Sequence, residues 1–216
     1  MITSNCYLLL NTIRRMRRFI TQKEVEMLVH AVISSRLDYC NCLLFGVRKV
    51  DGIDKLQRIQ NQASKLILRN HRQGYSNNRR LMLLHWLSVP KRIVFKILTI
   101  VFKCFHSVSP TLVSSLLVLK DSYNDVSYKY DVRTFFPNLE IGRRAFVYHA
   151  PRLWNCLPIE LRQCETKELF KRQLKTYLWE SFDSLMSRYN CYRVWSNLCT
   201  IFVCYILIML YYCATG

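Results

Sequence analysis

The sequence predicts a mainly α fold: a bundle-like helical segment, a smaller helical C-terminal piece and a hydrophobic tail helix. Three observations carry this. Glycine and proline are scarce, five of each in 216 residues, so few positions interrupt a helix. Apolar residues recur at three- and four-residue spacing over long stretches. From Val194 to Gly216 no charged residue occurs, and a bilayer span needs about 20 predominantly apolar residues. The expected organisation is a helical segment over 1–120, a linker over 121–140, a helical extension over 141–183 and a candidate transmembrane helix over 194–214.

The first well-marked helix is expected between Thr21 and Phe45. Val25, Leu28, Val29, Val32, Ile33, Cys40, Leu43 and Leu44 fall on one face. Thr21 with Glu24 three residues on forms a capping box, and Gly46 stands where a C-terminal glycine belongs. A second helix is expected from Gly52 to Asn70, with Leu56, Ile59, Ala63, Leu66 and Ile67 as its apolar stripe. The polar stretch NHRQGYSNNRR then separates it from a third helical stretch, Lys91 to Phe105, before which Pro90 breaks or starts a helix. Trp86 and His85 are expected to pack at the junction before Pro90.

From Ser107 to Asn138 the pattern loosens into a tyrosine-rich linker, with a short strand at Val132–Phe136. Pro151 and Pro158 bracket RLWNCL, a short helix or turn carrying Trp154 as an aromatic plug. The segment ETKELFKRQLKTYLWESF reads as a helix with Thr166 as N-cap, Glu168 in its first turn and Phe170, Leu174, Tyr177 and Leu178 facing the core. In the uncharged tail, Trp195 and Tyr211–Tyr212 sit near the ends as interfacial aromatics do. Arg188 and Arg193 precede the tail, which would leave the bulk of the chain cytosolic.

The chain carries 32 Lys+Arg against 14 Asp+Glu, a formal net charge of +18. Such an excess favours a polyanionic partner, nucleic acid before an anionic membrane surface. The candidate phosphate contacts are Arg14, Arg15, Arg17, Arg18, Lys55, Arg58, Lys65, Arg69, Arg79 and Arg80, with Arg143 and Arg144 joining them. On the second helix Lys55, Arg58, Lys65, Arg69 and Arg72 lie opposite the apolar stripe and read as a stripe without balancing acid. It is either a phosphate-tracking surface or a solvated face. Lys167, Lys171 and Lys175 make a further basic row, and Arg92, Lys96 and Lys103 share a side of the third helix. Tyr75, Tyr128 and Tyr130 are candidates to stack on unpaired bases.

The ten cysteines do not read as a metal or disulfide framework. In MITSNCYLLLNTIRRMRRF the basic cluster follows the apolar run, the reverse of a signal peptide, so a reducing cytoplasmic or nuclear setting is expected. Cys40 and Cys42 are too close for a zinc pair, and no second pair follows at finger-like distance. They are expected to pack as small hydrophobes. Two-metal phosphoryl transfer needs clustered carboxylates, and Asp38 has no acidic neighbour in sequence. Asp51 and Asp54 suit a helix start. No catalytic residue, metal ligand or cofactor is therefore expected.

The stretches LVHAVISSRLDYCNCLLFGV, DKLQRIQNQASKLI, LLHWLSVPKRIVFKILTIVFKCFHSVSPTLVSSLL and GRRAFVYHAPRLWNCLPIELRQCETKELFKRQLKTYL occur in that order. Together they resemble the C-terminal part of the reverse transcriptase polyprotein of LINE-type retrotransposons without long terminal repeats, of the chicken-repeat and jockey kind. The resemblance runs from about Cys6 to Trp179. It implies that residues 1–120 correspond to the thumb and the later residues to a C-terminal extension, which grip RNA and DNA. It also implies that the palm with its paired aspartates, the seat of RNA-directed DNA polymerisation, precedes Met1. The expectation is thus a truncated, non-catalytic RNA- or DNA-binding remnant with the palm as ancestral partner. The alternative is a tail-anchored membrane protein without a selected biochemical activity.

Overall fold

The structure is a computed structural model and describes residues 2–45, 52–68, 74–106, 111–118, 131–134 and 145–190. Its elements are helical: α1 (Ile2–Met16), α2 (Gln22–Val29), α3 (Ser35–Asp38), α4 (Ile53–Leu68), α5 (Asn77–Leu83), α6 (Val89–Phe105), α7 (Thr111–Ser114), α8 (Phe146–Asn155), α9 (Ile159–Arg162) and α10 (Lys167–Glu180). Residues 182–190 form α11. A π turn, His30–Ser34, joins α2 to α3, and a 3₁₀ turn, Asn41–Leu44, follows α3.

The capping box at α2 forms as expected. Thr21 Oγ1 accepts from the Glu24 amide at 3.3 Å, and the Glu24 carboxylate accepts from the Thr21 amide at 2.6 Å. Those hydrogen bonds hold the Glu24 carboxyl below its ordinary pKa. The helical run then departs from expectation. Val25, Val29, Ile33 and Leu37 step by four residues, which drifts about 40° per step on an α-helix. The wider π turn takes up that drift, and all four side chains are buried. The run ends at Asp38 rather than Phe45, because Tyr39 is extended and Cys40 turns left-handed at φ 49°. Cys40 is exposed rather than packed, whereas Cys42 lies against the core. Gly46 lies outside the described residues.

One hydrophobic cluster joins α1 (Cys6, Leu10, Ile13), the α2–α3 run, α4 (Ile59, Ala63, Ile67), Leu81 and Trp86. A second is centred on α6, whose Ile93, Ile97, Leu98, Val101 and Phe102 meet α8 and α10. Phe102 stacks on Phe170 at 4.4 Å between ring centres, and Trp154, fully buried, leans on Phe105 and Phe170. Thus α6, in the N-terminal part of the chain, shares its core with the C-terminal helices. A polar clamp fixes the start of α6 on α4. Buried Gln60 donates to the Leu87 carbonyl at 2.8 Å, and Gln57 accepts the Val89 amide at 2.9 Å. Pro90 stands in the first turn of α6, where its missing N–H costs nothing.

Three further expectations are corrected. Pro151 does not open a helix but lies inside α8, which starts five residues earlier at Phe146. Val132 makes only an isolated bridge, with the Arg133 amide on the Val118 carbonyl, so no strand forms in the described part of that segment. His85 is exposed rather than packed, with φ 54°. The α10 start agrees with expectation: Thr166 Oγ1 accepts the Leu169 amide, and Phe170, Leu174 and Leu178 are buried. Among the described residues no helix is long and apolar enough to cross a membrane. The uncharged run 194–216 lies outside them.

Candidate nucleic-acid interface

The basic face of α4 follows from its stripe. Ile53, Ile59, Gln60, Ala63, Ser64 and Ile67 are buried. On a helix of 3.6 residues per turn, Lys55, Arg58 and Lys65 then fall within an arc of about 80° centred opposite that stripe. All three are exposed, and none has a carboxylate partner among the described residues. They span about 15 Å along the axis at 1.5 Å rise per residue. The face is not free of acid: Asp54, exposed, stands on the same side in the first turn, where the helix dipole favours it.

The arginines at the end of α1 divide in role. Arg14, Arg15 and Arg18 are exposed. Arg17 is half-buried and donates to the Ile67 carbonyl at 2.9 Å, one of the carbonyls left open at the end of α4. It is a structural tie rather than a free phosphate contact. The signal was in the sequence, since Arg17 continues the buried series Cys6, Leu10, Ile13 at four-, three- and four-residue steps. The tie brings the ends of α1 and α4 together, so Arg14, Arg15 and Arg18 share one end of the molecule with Lys65.

Arg80 is also engaged locally, donating to the Tyr75 carbonyl and to Asn77 Oδ1. Arg79 beside it is exposed, as is Tyr75. Arg69, Arg72, Arg143, Arg144, Tyr128 and Tyr130 lie outside the described residues.

Among the described residues Asp38 is not set in a cluster of carboxylates. Its two oxygens take the Arg92 guanidinium side-on, Nε donating at 2.9 Å, and Asn41 Nδ2 donates to it at 3.3 Å. A bidentate pair of this kind fixes the end of α3 on the first turns of α6. Among the described residues no three His, Cys, Asp or Glu side chains gather as a metal site. Burial raises the pKa of the Cys6 and Cys164 thiols, which suits packing rather than nucleophilic chemistry.

The same ion pair lines a cleft of about 480 Å³ that sequence reasoning did not assemble. His30 at the π turn, the α5–α6 link, one side of α6 and Lys175 of α10 wall it. Arg92 and Lys96 are one turn apart on α6, a pairing legible in the sequence. The approach of Lys175 depends on α10 packing on α6 and was not. Comparison with protein-family models, with curated proteins and with solved structures finds no match to the chain.

Proposed function

We propose that this chain is a non-catalytic nucleic-acid-binding segment, derived from the part of a LINE-type reverse transcriptase that follows the palm. It grips the backbone of RNA or an RNA/DNA hybrid. The observation that carries the reading is the α4 face: Lys55, Arg58 and Lys65 are exposed opposite the buried stripe and free of carboxylate partners among the described residues, in a chain of net charge +18. Cations fixed along a rigid helix displace the counterions of a phosphate backbone, which yields salt-dependent and weakly sequence-specific affinity. Arg14, Arg15 and Arg18, exposed at the end of α1 that Arg17 ties to the end of α4, are further candidate contacts. The resemblance supplies the origin, and Asp38, bound to Arg92, has no part in metal chemistry under this reading.

The test is charge reversal of the full chain at Lys55→Glu, Arg58→Glu and Lys65→Glu. If each contacts one phosphate, the salt dependence of RNA affinity drops by roughly two to three logarithmic units of slope. Unchanged affinity and slope would remove α4 from the interface.

A second reading rests on the uncharged run Val194–Gly216. It makes the chain a tail-anchored membrane protein, with its basic helices on an anionic cytosolic leaflet. Alkaline carbonate extraction of membranes separates the two: retention in the pellet supports the anchor, and full release removes it.

A further inference from the structure

The geometry points to the cleft beside the Asp38–Arg92 pair as a binding site for a single nucleotide, a planar base carrying a phosphate. The choice of a nucleotide rests on the nucleic-acid reading above, but the site is separate from the α4 face. Four independent features converge on it. Among the described residues its lining holds three cations, Arg92, Lys96 and Lys175, against one carboxylate, Asp38, which Arg92 already engages. Lys96 and Lys175 have no acidic partner among the described residues, so an arriving phosphate meets two uncompensated ammonium groups. An apolar wall of Leu84, Leu87 and Phe95, with the exposed rings of His30 and His85, offers surfaces for a base.

The backbone around the cleft is unusual in three places. His30 opens the π turn, an element frequent at functional sites. His85 holds a left-handed conformation on its wall. Cys40, the other non-glycine residue with positive φ among the described residues, lies between the lining residues Asp38 and Asn41. Strain of this kind persists where the surroundings over-determine it, and it clusters at ligand sites.

Finally, two lining side chains hold unspent hydrogen-bonding capacity. Asn41, 2% exposed, has its Oδ1 without a partner, and Trp86, 5% exposed, has its Nε1–H without one, among the described residues. The edge of a base carries both donors and acceptors. The cleft volume of about 480 Å³ lies within the range of small-ligand sites.

A free mononucleotide and the phosphorylated end of an RNA strand share this chemistry, and calorimetric titration of the full chain separates them. The probes are adenosine 5′-monophosphate and a short 5′-phosphorylated oligoadenylate, each beside its unphosphorylated counterpart. Binding of the monophosphate with no gain for the oligonucleotide assigns a free nucleotide. Tighter binding of the phosphorylated oligonucleotide assigns a strand end. Lys96→Gln with Lys175→Gln is expected to weaken either ligand roughly tenfold or more, with the melting temperature unchanged. The α4 charge reversals are expected to leave monophosphate binding intact while weakening long RNA, so failure of the backbone grip is read independently. No binding of either phosphorylated probe, wild-type affinity in the double Gln variant, or preference for an oligoglutamate peptide over both would overturn the assignment.

Discussion

Replacing His85 with glycine should stabilise this protein. The residues around it form a complete helix stop. The Trp86 amide donates to the Leu81 carbonyl at 2.8 Å, the His85 amide donates to the Met82 carbonyl at 2.9 Å, and His85 itself sits at φ 54°. That is the position at which helices place glycine, because an L side chain there crowds the following carbonyl. The companion apolar contact is also present, since Leu81 and Trp86 are buried in one cluster. The imidazole is exposed, and no hydrogen bond to the described residues offsets the strain. Removing the side chain should therefore return about 1 kcal/mol, partly reduced by the greater freedom of glycine in the unfolded chain. In a chain of this size that corresponds to a rise in melting temperature of about 2–4 °C by differential scanning calorimetry. His85→Ala keeps a Cβ and should show no such gain. A lower melting temperature for His85→Gly, or an equal rise for His85→Ala, would refute the strain argument.

Arg17→Met should lower stability by roughly 1.5–3 kcal/mol in a urea titration, since a charged donor to the end of α4 is lost while the apolar stem remains. Its effect on RNA affinity should be smaller than that of Arg18→Glu. Trp154→Ala should cost about 3–5 kcal/mol, because it empties the space between α6, α8 and α10 where Trp154 meets Phe105 and Phe170. A loss under about 1 kcal/mol, the scale of a surface change, would contradict a shared core. Glu24 should titrate below an ordinary glutamate in a carbon-detected NMR experiment. Its folded pKa is lowered by the Thr21 hydrogen bonds, so its support of α2 is present above the ordinary glutamate range and fades as pH falls through the lowered value. An ordinary or raised value would contradict the capping box.

What the sequence made legible was local. The Thr21 and Thr166 caps depend on residues within one turn and occur as read. Of the α4 stripe, Ile59, Ala63 and Ile67 are buried and Leu56 and Leu66 half-buried, with Gln60 and Ser64 buried beside them, and Pro90, read as breaking or starting a helix, stands in the first turn of α6. The misreadings arose where tertiary packing overrode a local signal. The apolar spacing through Phe45 satisfies a helix, yet the chain turns at Tyr39, with Cys40 left-handed, six residues before the Gly46 at which a helix stop is expected. Proline at 151 suggested a boundary, yet α8 passes through it, and Ala150, Leu153 and Trp154 are buried on its core side. Arg17 belongs in sequence to the same basic cluster as exposed Arg14, Arg15 and Arg18, yet its place on the α1 stripe leaves it half-buried. The cleft was illegible because it joins residues from His30 to Lys175, brought together only once α6 has received α3 on one side and α10 on another.

The central claim is a phosphate grip centred on α4, and the most direct test is equilibrium binding of the full chain to single-stranded RNA and to duplex DNA across a salt series. Affinity should fall steeply and linearly on logarithmic axes, with a slope that shrinks when Lys55, Arg58 and Lys65 are reversed. A folded protein that binds neither nucleic acid at low salt would contradict it.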